Sequence, residues 1–212
     1  MINVINLKIK EILKLGVQNQ KEKNFKEAIK NYNNVIKIDP AIVFPYHNLG
    51  LIYEEIGNID LAKKNFLKAI KVNPLFIYPY IKLGILFQNL GQKEKAIEYF
   101  EKIIEIYSKN LSGYNNLGLV YASLGKYKKA TDNYLKTLSI EHNNVIAIKS
   151  IIFLLTYYIP NTDHPIIIAN NELRLLQRDY SFNNLLRTEN LSLIIENSIK
   201  ILNKLSIDID KL

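Results

Sequence analysis

The chain has 212 residues, 48% of them hydrophobic, and no cysteine, which excludes a disulfide framework and thiolate metal sites. Its net charge of +8 is compatible with an acidic peptide, nucleic acid or a membrane surface as partner, and equally with a lysine-rich solvated surface. No nucleic-acid-binding motif and no stripe of alternating basic and aromatic residues accompanies the charge, which disfavours a nucleic-acid partner.

We expect no secretory signal in the N-terminal segment. Asparagine and lysine interrupt its apolar residues within the first ten positions, where a signal peptide needs an unbroken apolar core. The most apolar run, 145–159, contains Lys149 and is too short to span a bilayer. Together with the lack of cysteine, these features predict a cytoplasmic protein.

Small residues recur at a fixed interval through residues 9–144. Glycine recurs every 34 residues, at Gly16, Gly50, Gly84 and Gly118. Alanine keeps the same interval, and an aromatic residue stands four positions after each alanine. The alanines are Ala28, Ala62, Ala96 and Ala130, and the aromatic residues are Tyr32, Phe66, Phe100 and Tyr134. Such a period indicates stacked structural units rather than one globule around a single cleft.

These columns resemble those of the tetratricopeptide repeat, whose unit is two antiparallel helices, A and B. The resemblance covers 9–144 and gives four units, at 9–42, 43–76, 77–110 and 111–144. It implies an all-α fold, a right-handed solenoid in which the glycine and alanine columns let helices A and B approach closely.

The turns and helix ends follow from the same alignment. Position 15 of a unit is expected to adopt a left-handed backbone conformation just past helix A, and it is Gly57, Gly91 and Gly125 in the later units. Pro40 and Pro74 are expected to stop helix B. The last two units lack that proline, so their helix B is expected to run on slightly.

Residues 145–212 are predicted to form a capping helix and two further helices. The capping helix, 145–159, begins where a fifth unit would, but Ile152 replaces the glycine. The further helices are expected at about 165–178 and about 189–205. The sequence reaches Leu212 without a clear ending, so we expect the native gene to continue. Residues 151–176 resemble the segment that joins such repeats to a catalytic domain in some bacterial proteins, including 2-oxoglutarate/iron oxygenases.

The sequence contains no recognisable catalytic or metal-binding constellation. None of the three histidines, His47, His142 and His164, is followed two positions later by the acidic residue that the oxygenase metal motif requires. No serine lies in a Gly-x-Ser-x-Gly elbow, and the glycines belong to the repeat rather than to a phosphate-binding loop. We therefore predict a protein that is not an enzyme and binds no cofactor or metal. The alternative is the substrate-recruiting part of a larger enzyme, such as an oxygenase, glycosyltransferase or sulfotransferase, whose catalytic domain lies outside these residues.

The candidate site is a stripe of residues on helix A. In the tetratricopeptide family this stripe, at positions 2, 6, 9 and 13 of each unit, lines a concave groove that holds extended peptides. The resemblance implies a peptide-binding groove lined by Lys14, Phe44, Asn48, Leu51, Tyr78, Lys82, Ile85, Asn116 and Leu119. The predicted function is a scaffold or adaptor that binds a protein or an extended peptide there.

Position 6 of the units alternates between lysine and asparagine. Asn48 and Asn116 are predicted to be exposed, and they resemble part of the asparagine ladder of the O-linked N-acetylglucosamine transferase repeats. An asparagine amide can pair with a peptide backbone as both donor and acceptor. The alternative is that both are ordinary polar surface residues. The carboxylate clamp of chaperone-binding repeats, a lysine and an asparagine at positions 5 and 9, is absent, which disfavours a chaperone tail as partner.

Overall fold

A computed structural model describes residues 2–157, and all regular secondary structure in that range is α-helical. The chain divides into two compact units, Met1–Ser108 and Lys109–Leu212. The first contains α1 (Ile2–Lys21), α2 (Phe25–Ile38), α3 (Val43–Glu55), α4 (Ile59–Val72), α5 (Tyr78–Asn89) and α6 (Lys93–Ile106). In the described part of the second lie α7 (Leu111–Ser123), α8 (Tyr127–Ile140) and α9 (Val145–Tyr157). The predicted all-α fold class is confirmed for this range, and the helices expected at 165–178 and 189–205 lie outside it.

Consecutive helices pack against one another in pairs. In the first unit α1 packs on α2, α3 on α4 and α5 on α6, and the pairs are joined where α2 meets α3 and α4 meets α5. In the second unit α7 packs on α8. Helix α1 begins at Ile2, ahead of the first repeat position at Ile9, because residues 2–8 contain no glycine or proline that would end a helix.

Each helix pair is closed by a glycine lying against a buried aromatic ring. A Cβ atom added at Gly84 would lie 2.6 Å from Cζ of Phe100, whose side chain is fully buried. The corresponding distance to Cζ of the paired ring is 2.7 Å at Gly118, 2.9 Å at Gly50 and 3.2 Å at Gly16. The close approach of helices A and B that the glycine column predicts is therefore confirmed.

The turn after helix A has a left-handed residue in every repeat. Gly57, Gly91 and Gly125 have φ angles of 80°, 73° and 72°. The first repeat has Lys23 at this position, with a φ of 60°, although a side chain is disfavoured there. The prediction of a left-handed conformation at position 15 is confirmed.

The expectation that helix B runs on in the last two repeats is wrong. Helices α2, α4, α6 and α8 each have 14 residues and end at equivalent positions. The residue that follows each helix is extended, with a φ of −144° at Asp39 and −136° at Glu141, and its N–H bonds the carbonyl four residues back. This cap ends the helix in all four repeats, so a proline is not needed.

Helix α9 covers the last helix pair of the described range. It packs against α7 and α8, and it buries Ala147, Ile148, Ile151 and Leu154. The side-chain oxygen of Asn144 accepts a hydrogen bond from the N–H of Ala147 at 3.1 Å and so caps the first turn. The capping role expected of 145–212 stays a prediction, because 158–212 lie outside the described residues. None of the described helices is long and apolar enough to cross a membrane.

Candidate functional site

The helix-A stripe, at positions 2, 6, 9 and 13 of the repeats, combines exposed apolar groups with partly covered polar ones. The position-2 rings of Phe44 and Tyr78 are 54% and 57% exposed. In the second unit Leu119, at position 9, is 49% exposed. Leu51 and Ile85, also at position 9, are half-buried.

The two asparagines of the stripe are half-buried, so the prediction that they are exposed is wrong. Nδ2 of Asn48 donates to the hydroxyl of Tyr32 at 3.1 Å, and that hydroxyl donates to Oε1 of Gln20 at 2.8 Å. Burial raises the pKa of Tyr32, while the hydrogen bond from Asn48 acts in the opposite direction. Asn48 is therefore fixed on α3 by a short polar network that reaches α2 and α1.

Asn116 is held by a different set of contacts. Its Nδ2 donates to the carbonyl oxygen of Ser112 at 2.8 Å and to the hydroxyl of the same residue at 3.1 Å. Both contacts lie within α7. In Asn48 one amide hydrogen is thus occupied, which leaves the second N–H and the side-chain oxygen for a ligand. In Asn116 the nitrogen already has two acceptors, which leaves the side-chain oxygen.

The two lysines at position 6 differ in their pairing. Nζ of Lys82 lies 2.9 Å from Oε2 of Glu54, and both side chains are about one third exposed. Lys14 is exposed and forms no ion pair within residues 2–157. An acidic ligand would therefore meet a free charge at Lys14 and an already paired one at Lys82.

An aromatic cluster joins the end of the second repeat to the start of the third. We define it as Phe44, His47, Phe76 and Tyr78. Phe76 is its centre, with ring centroids 5.3 Å from Phe44, 5.5 Å from His47 and 5.2 Å from Tyr78. Burial, aided by the charge of Lys82, lowers the pKa of His47 to about 4, so its ring is neutral near pH 7.

Sequence reasoning named Phe44 and Tyr78 as candidate site residues, but it did not name His47 and Phe76, which the structure places against them. The alignment treats position 34 as a connection, yet Phe76 occupies it and brings the two helix-A residues together. An aromatic residue two positions before the position-2 aromatic residue of the next repeat was the available signal.

The described residues hold no group of three or more histidine, aspartate or glutamate side chains that could bind a metal ion. The stripe offers amide oxygens, ammonium groups and exposed rings. These groups suit non-covalent binding of an extended chain, through backbone hydrogen bonds and burial of apolar side chains.

Known families and structures agree with this geometry. Models described as tetratricopeptide repeat match residues 112–144, 45–74 and 77–110, and a model described as TPR repeat matches 21–57. No curated protein sequence matches the chain significantly.

Solved structures resemble the described helices as well. A crystal structure of MamA is 30% identical, with a TM-score of 0.58, over 65% of this chain and 81% of that chain. A second crystal structure of MamA protein is 25% identical, with a TM-score of 0.62, over 80% of this chain and 88% of that chain. A structure of PilF of Pseudomonas aeruginosa shares the fold, with a TM-score of 0.62 at 18% identity. That match covers 71% of this chain and 69% of the PilF chain. With repeat models matching along 21–144, and with that likeness to MamA, the chain belongs to the tetratricopeptide repeat family.

Proposed function

We propose that this chain is a scaffold that binds an extended segment of a partner protein along the helix-A stripe. The tetratricopeptide repeats and the similarity to MamA support a protein-binding scaffold. The segment would lie across successive A helices in the concave groove typical of the family, with its backbone facing position 6.

The observation that carries this proposal is the combination of exposed rings with fixed polar groups on the same helices. Phe44 and Tyr78 expose more than half of their surface, while Asn48 and Lys82, one turn further on, are held by Tyr32 and Glu54. Exposed aromatic rings provide apolar area to bury on binding. Polar groups that are already fixed lose little side-chain entropy when they bind a ligand, so the surface is preorganised.

The amide of Asn48 suits a peptide backbone. One of its N–H groups is engaged by Tyr32, which leaves the second N–H and the carbonyl oxygen to pair with a backbone C=O and N–H. Each such hydrogen bond contributes about 0.5–1.5 kcal/mol. In the second unit Asn116 is at position 6, like Asn48, and Leu119 is at position 9, like Leu51. That unit therefore also supplies an amide and an apolar side chain.

The repeat spacing sets the length of chain that each repeat can bind. Packed helix axes lie about 8–10 Å apart, and an extended chain advances about 3.3 Å per residue. About three partner residues would therefore pass each A helix. A segment that contacts three repeats would be about nine residues long by the same estimate.

Site-specific photo-crosslinking tests the proposal. A benzophenone amino acid is placed at Leu51 or Ile85 in the stripe of the first unit, and at Leu67, an exposed residue of α4, as the control. We expect both stripe positions to crosslink the same partner protein in cells that express the chain, and Leu67 to crosslink it much less. Equal crosslinking at Leu67, or none from the stripe, would contradict the proposal.

The alternative, that these repeats recruit a substrate for a catalytic domain outside these residues, stays a hypothesis. The same stripe would then bind the substrate protein, and the crosslinked species would be modified by that domain. We still expect nucleic acid to be a poor partner, because no nucleic-acid-binding motif accompanies the lysines.

A further inference from the structure

Building on the proposed function, we infer that the aromatic cluster anchors one large apolar side chain of an acidic partner segment. The carboxylates of that segment would pair with the lysines of α1. All the residues involved lie in the unit Met1–Ser108.

The cluster is a platform with two exposed rings over a covered floor. Phe76 is half-buried, while Phe44 and Tyr78 on either side of it are 54% and 57% exposed. The Phe44 and Phe76 rings meet edge to face, with an interplanar angle of 72°. Aromatic pairs at such distances attract one another beyond simple area burial, so a further ring or a branched aliphatic side chain would extend an existing stack.

The floor of the platform is uncharged. The ring of His47 contacts Phe76 at 5.5 Å, Phe66 at 5.7 Å and Tyr78 at 6.1 Å. Its Nδ1 is buried and has no hydrogen-bond partner among the described residues. A charged imidazole would be costly in such a setting, which agrees with its lowered pKa. The subsite therefore favours an apolar side chain over a charged one.

The charges around the platform leave a positive excess on α1. The acids at the end of α3 are already paired, Glu54 with Lys82 at 2.9 Å and Glu55 with Lys23 at 3.2 Å. On the stripe face of α1, by contrast, every charged residue is a lysine. These lysines are exposed and form no ion pair within residues 2–157; they are Lys10, Lys14 and Lys21. Complementarity therefore favours a segment with carboxylates on the α1 side of its anchor.

The two features are close enough for one short segment. Helices α1 and α3 both pack on α2, and packed helices are about 8–10 Å apart. An extended chain covers that span in about three residues, and about five allow for the offset between helix positions. The expected partner motif is a cluster of Asp or Glu about three to five residues from a Phe, Leu or Ile.

Three labelled peptides of about ten residues test this chemistry on the full chain, since that length spans the two features. The first carries several aspartates and, about four residues away, one phenylalanine. The second replaces the phenylalanine by alanine, and the third replaces the aspartates by lysines. Fluorescence anisotropy is expected to rank the first peptide as the tightest by about ten-fold over each of the others, equal to about 1.4 kcal/mol.

Variants then assign the effect to residues. Phe44→Ala combined with Tyr78→Ala is expected to weaken binding of the first peptide about ten-fold and to leave the alanine peptide unaffected. Lys10→Glu combined with Lys14→Glu is expected to reverse the preference between the aspartate and lysine peptides. Tyr107→Ala is the matched control, because Tyr107 is a 60% exposed aromatic residue outside the stripe.

Several results would overturn the inference. One is no measurable binding of the first peptide, and another is equal binding of the phenylalanine and alanine peptides. If Asn48→Ala abolished binding of the first peptide and Phe44→Ala/Tyr78→Ala did not, the stripe would still be the binding site. The aromatic cluster would then not be the anchor. A further result is that the chain forms a dimer whose amount rises with concentration. If Phe44→Ala/Tyr78→Ala abolished that dimer and the first peptide did not compete with it, the cluster would be a self-association surface. Loss in none of the variants would reject the anchor and the stripe together.

Discussion

Replacing Gly84 by alanine should destabilise the protein, although alanine is the better helix former. A helix-interior glycine costs about 1 kcal/mol relative to alanine, so propensity alone predicts a gain. The added Cβ, however, would lie 2.6 Å from Cζ of Phe100, where ordinary contact begins at 3.4 Å. The ring is fully buried and cannot move without disturbing its neighbours. Overpacking of this kind costs about 1–3 kcal/mol, and an overlap this large belongs at the upper end. The expected net loss is about 2 kcal/mol.

Urea unfolding followed by circular dichroism measures this loss as a lower urea concentration at the unfolding midpoint, with the urea dependence of the unfolding free energy unchanged. Gly16→Ala is the comparison variant: its added Cβ would also be crowded, 2.8 Å from Cε1 of Tyr32, but less than at Gly84, so it should cost less. Shortening the ring in Gly84→Ala/Phe100→Leu should recover part of the loss, giving a coupling energy of at least about 0.5 kcal/mol. If Gly84→Ala proved as stable as the wild type, or if the two changes were strictly additive, the close-contact explanation would be wrong.

Three further predictions concern the polar groups. The double variant Asn48→Ala/Asn116→Ala should lose about 0.5–1.5 kcal/mol of stability per asparagine, because both side chains are hydrogen-bonded. It should also bind its partner about ten-fold more weakly. Unchanged affinity in a folded variant would place the binding site elsewhere. His47 has a folded pKa of about 4, below its ordinary 6.5, so the unfolded chain binds the extra proton and stability should fall as the pH drops from about 6.5 to about 4. His47→Phe should flatten this dependence in urea titrations across that range, and an unaltered slope would mean that other groups cause it. Tyr134→Phe should lower stability by about 0.5–1.5 kcal/mol, because it removes the hydroxyl that bonds Ser150; a variant as stable as the wild type would make that bond irrelevant.

The repeat period predicted the helix pairs because each of its columns reports a local steric requirement. Gly84 must be small because Phe100 lies against it, and Gly91 must tolerate a positive φ. Both requirements arise within a single helix pair, so they recur in every repeat and are visible in the sequence as columns of glycine. The oxygenase-like resemblance of 151–176 was of another kind, since no steric rule supports it, and most of that segment lies outside the described residues.

Sequence reasoning failed at the asparagines because it placed each residue on a helix face without considering the helix opposite. Position 24 of each repeat holds the aromatic residue of the 34-residue period, and in the first repeat this residue, Tyr32, contacts position 6 of the next. Where position 24 is tyrosine, its hydroxyl bonds the later polar side chain, as in Tyr32 with Asn48 and Tyr134 with Ser150. Where it is phenylalanine, the position-6 residue finds another partner, as Lys82 does with Glu54. A tyrosine followed sixteen residues later by a polar residue was the signal in the sequence.

The first repeat differs from the others because no described helix precedes it. Leu15 is 46% exposed, whereas Leu49, the same position in the next repeat, is 3% exposed. Lys14 likewise has no tyrosine hydroxyl or glutamate beneath it, so its ammonium remains in solvent. A flexible lysine in solvent is not preorganised, but its charge attracts an acidic ligand over a long distance. The fixed amide of Asn48 instead offers hydrogen-bonding groups in a defined orientation. The stripe of the first unit thus grades from charge attraction at α1 to fixed hydrogen-bonding and aromatic groups at α3 and α5. An acidic segment would be attracted at the first repeat and held in register by the next two.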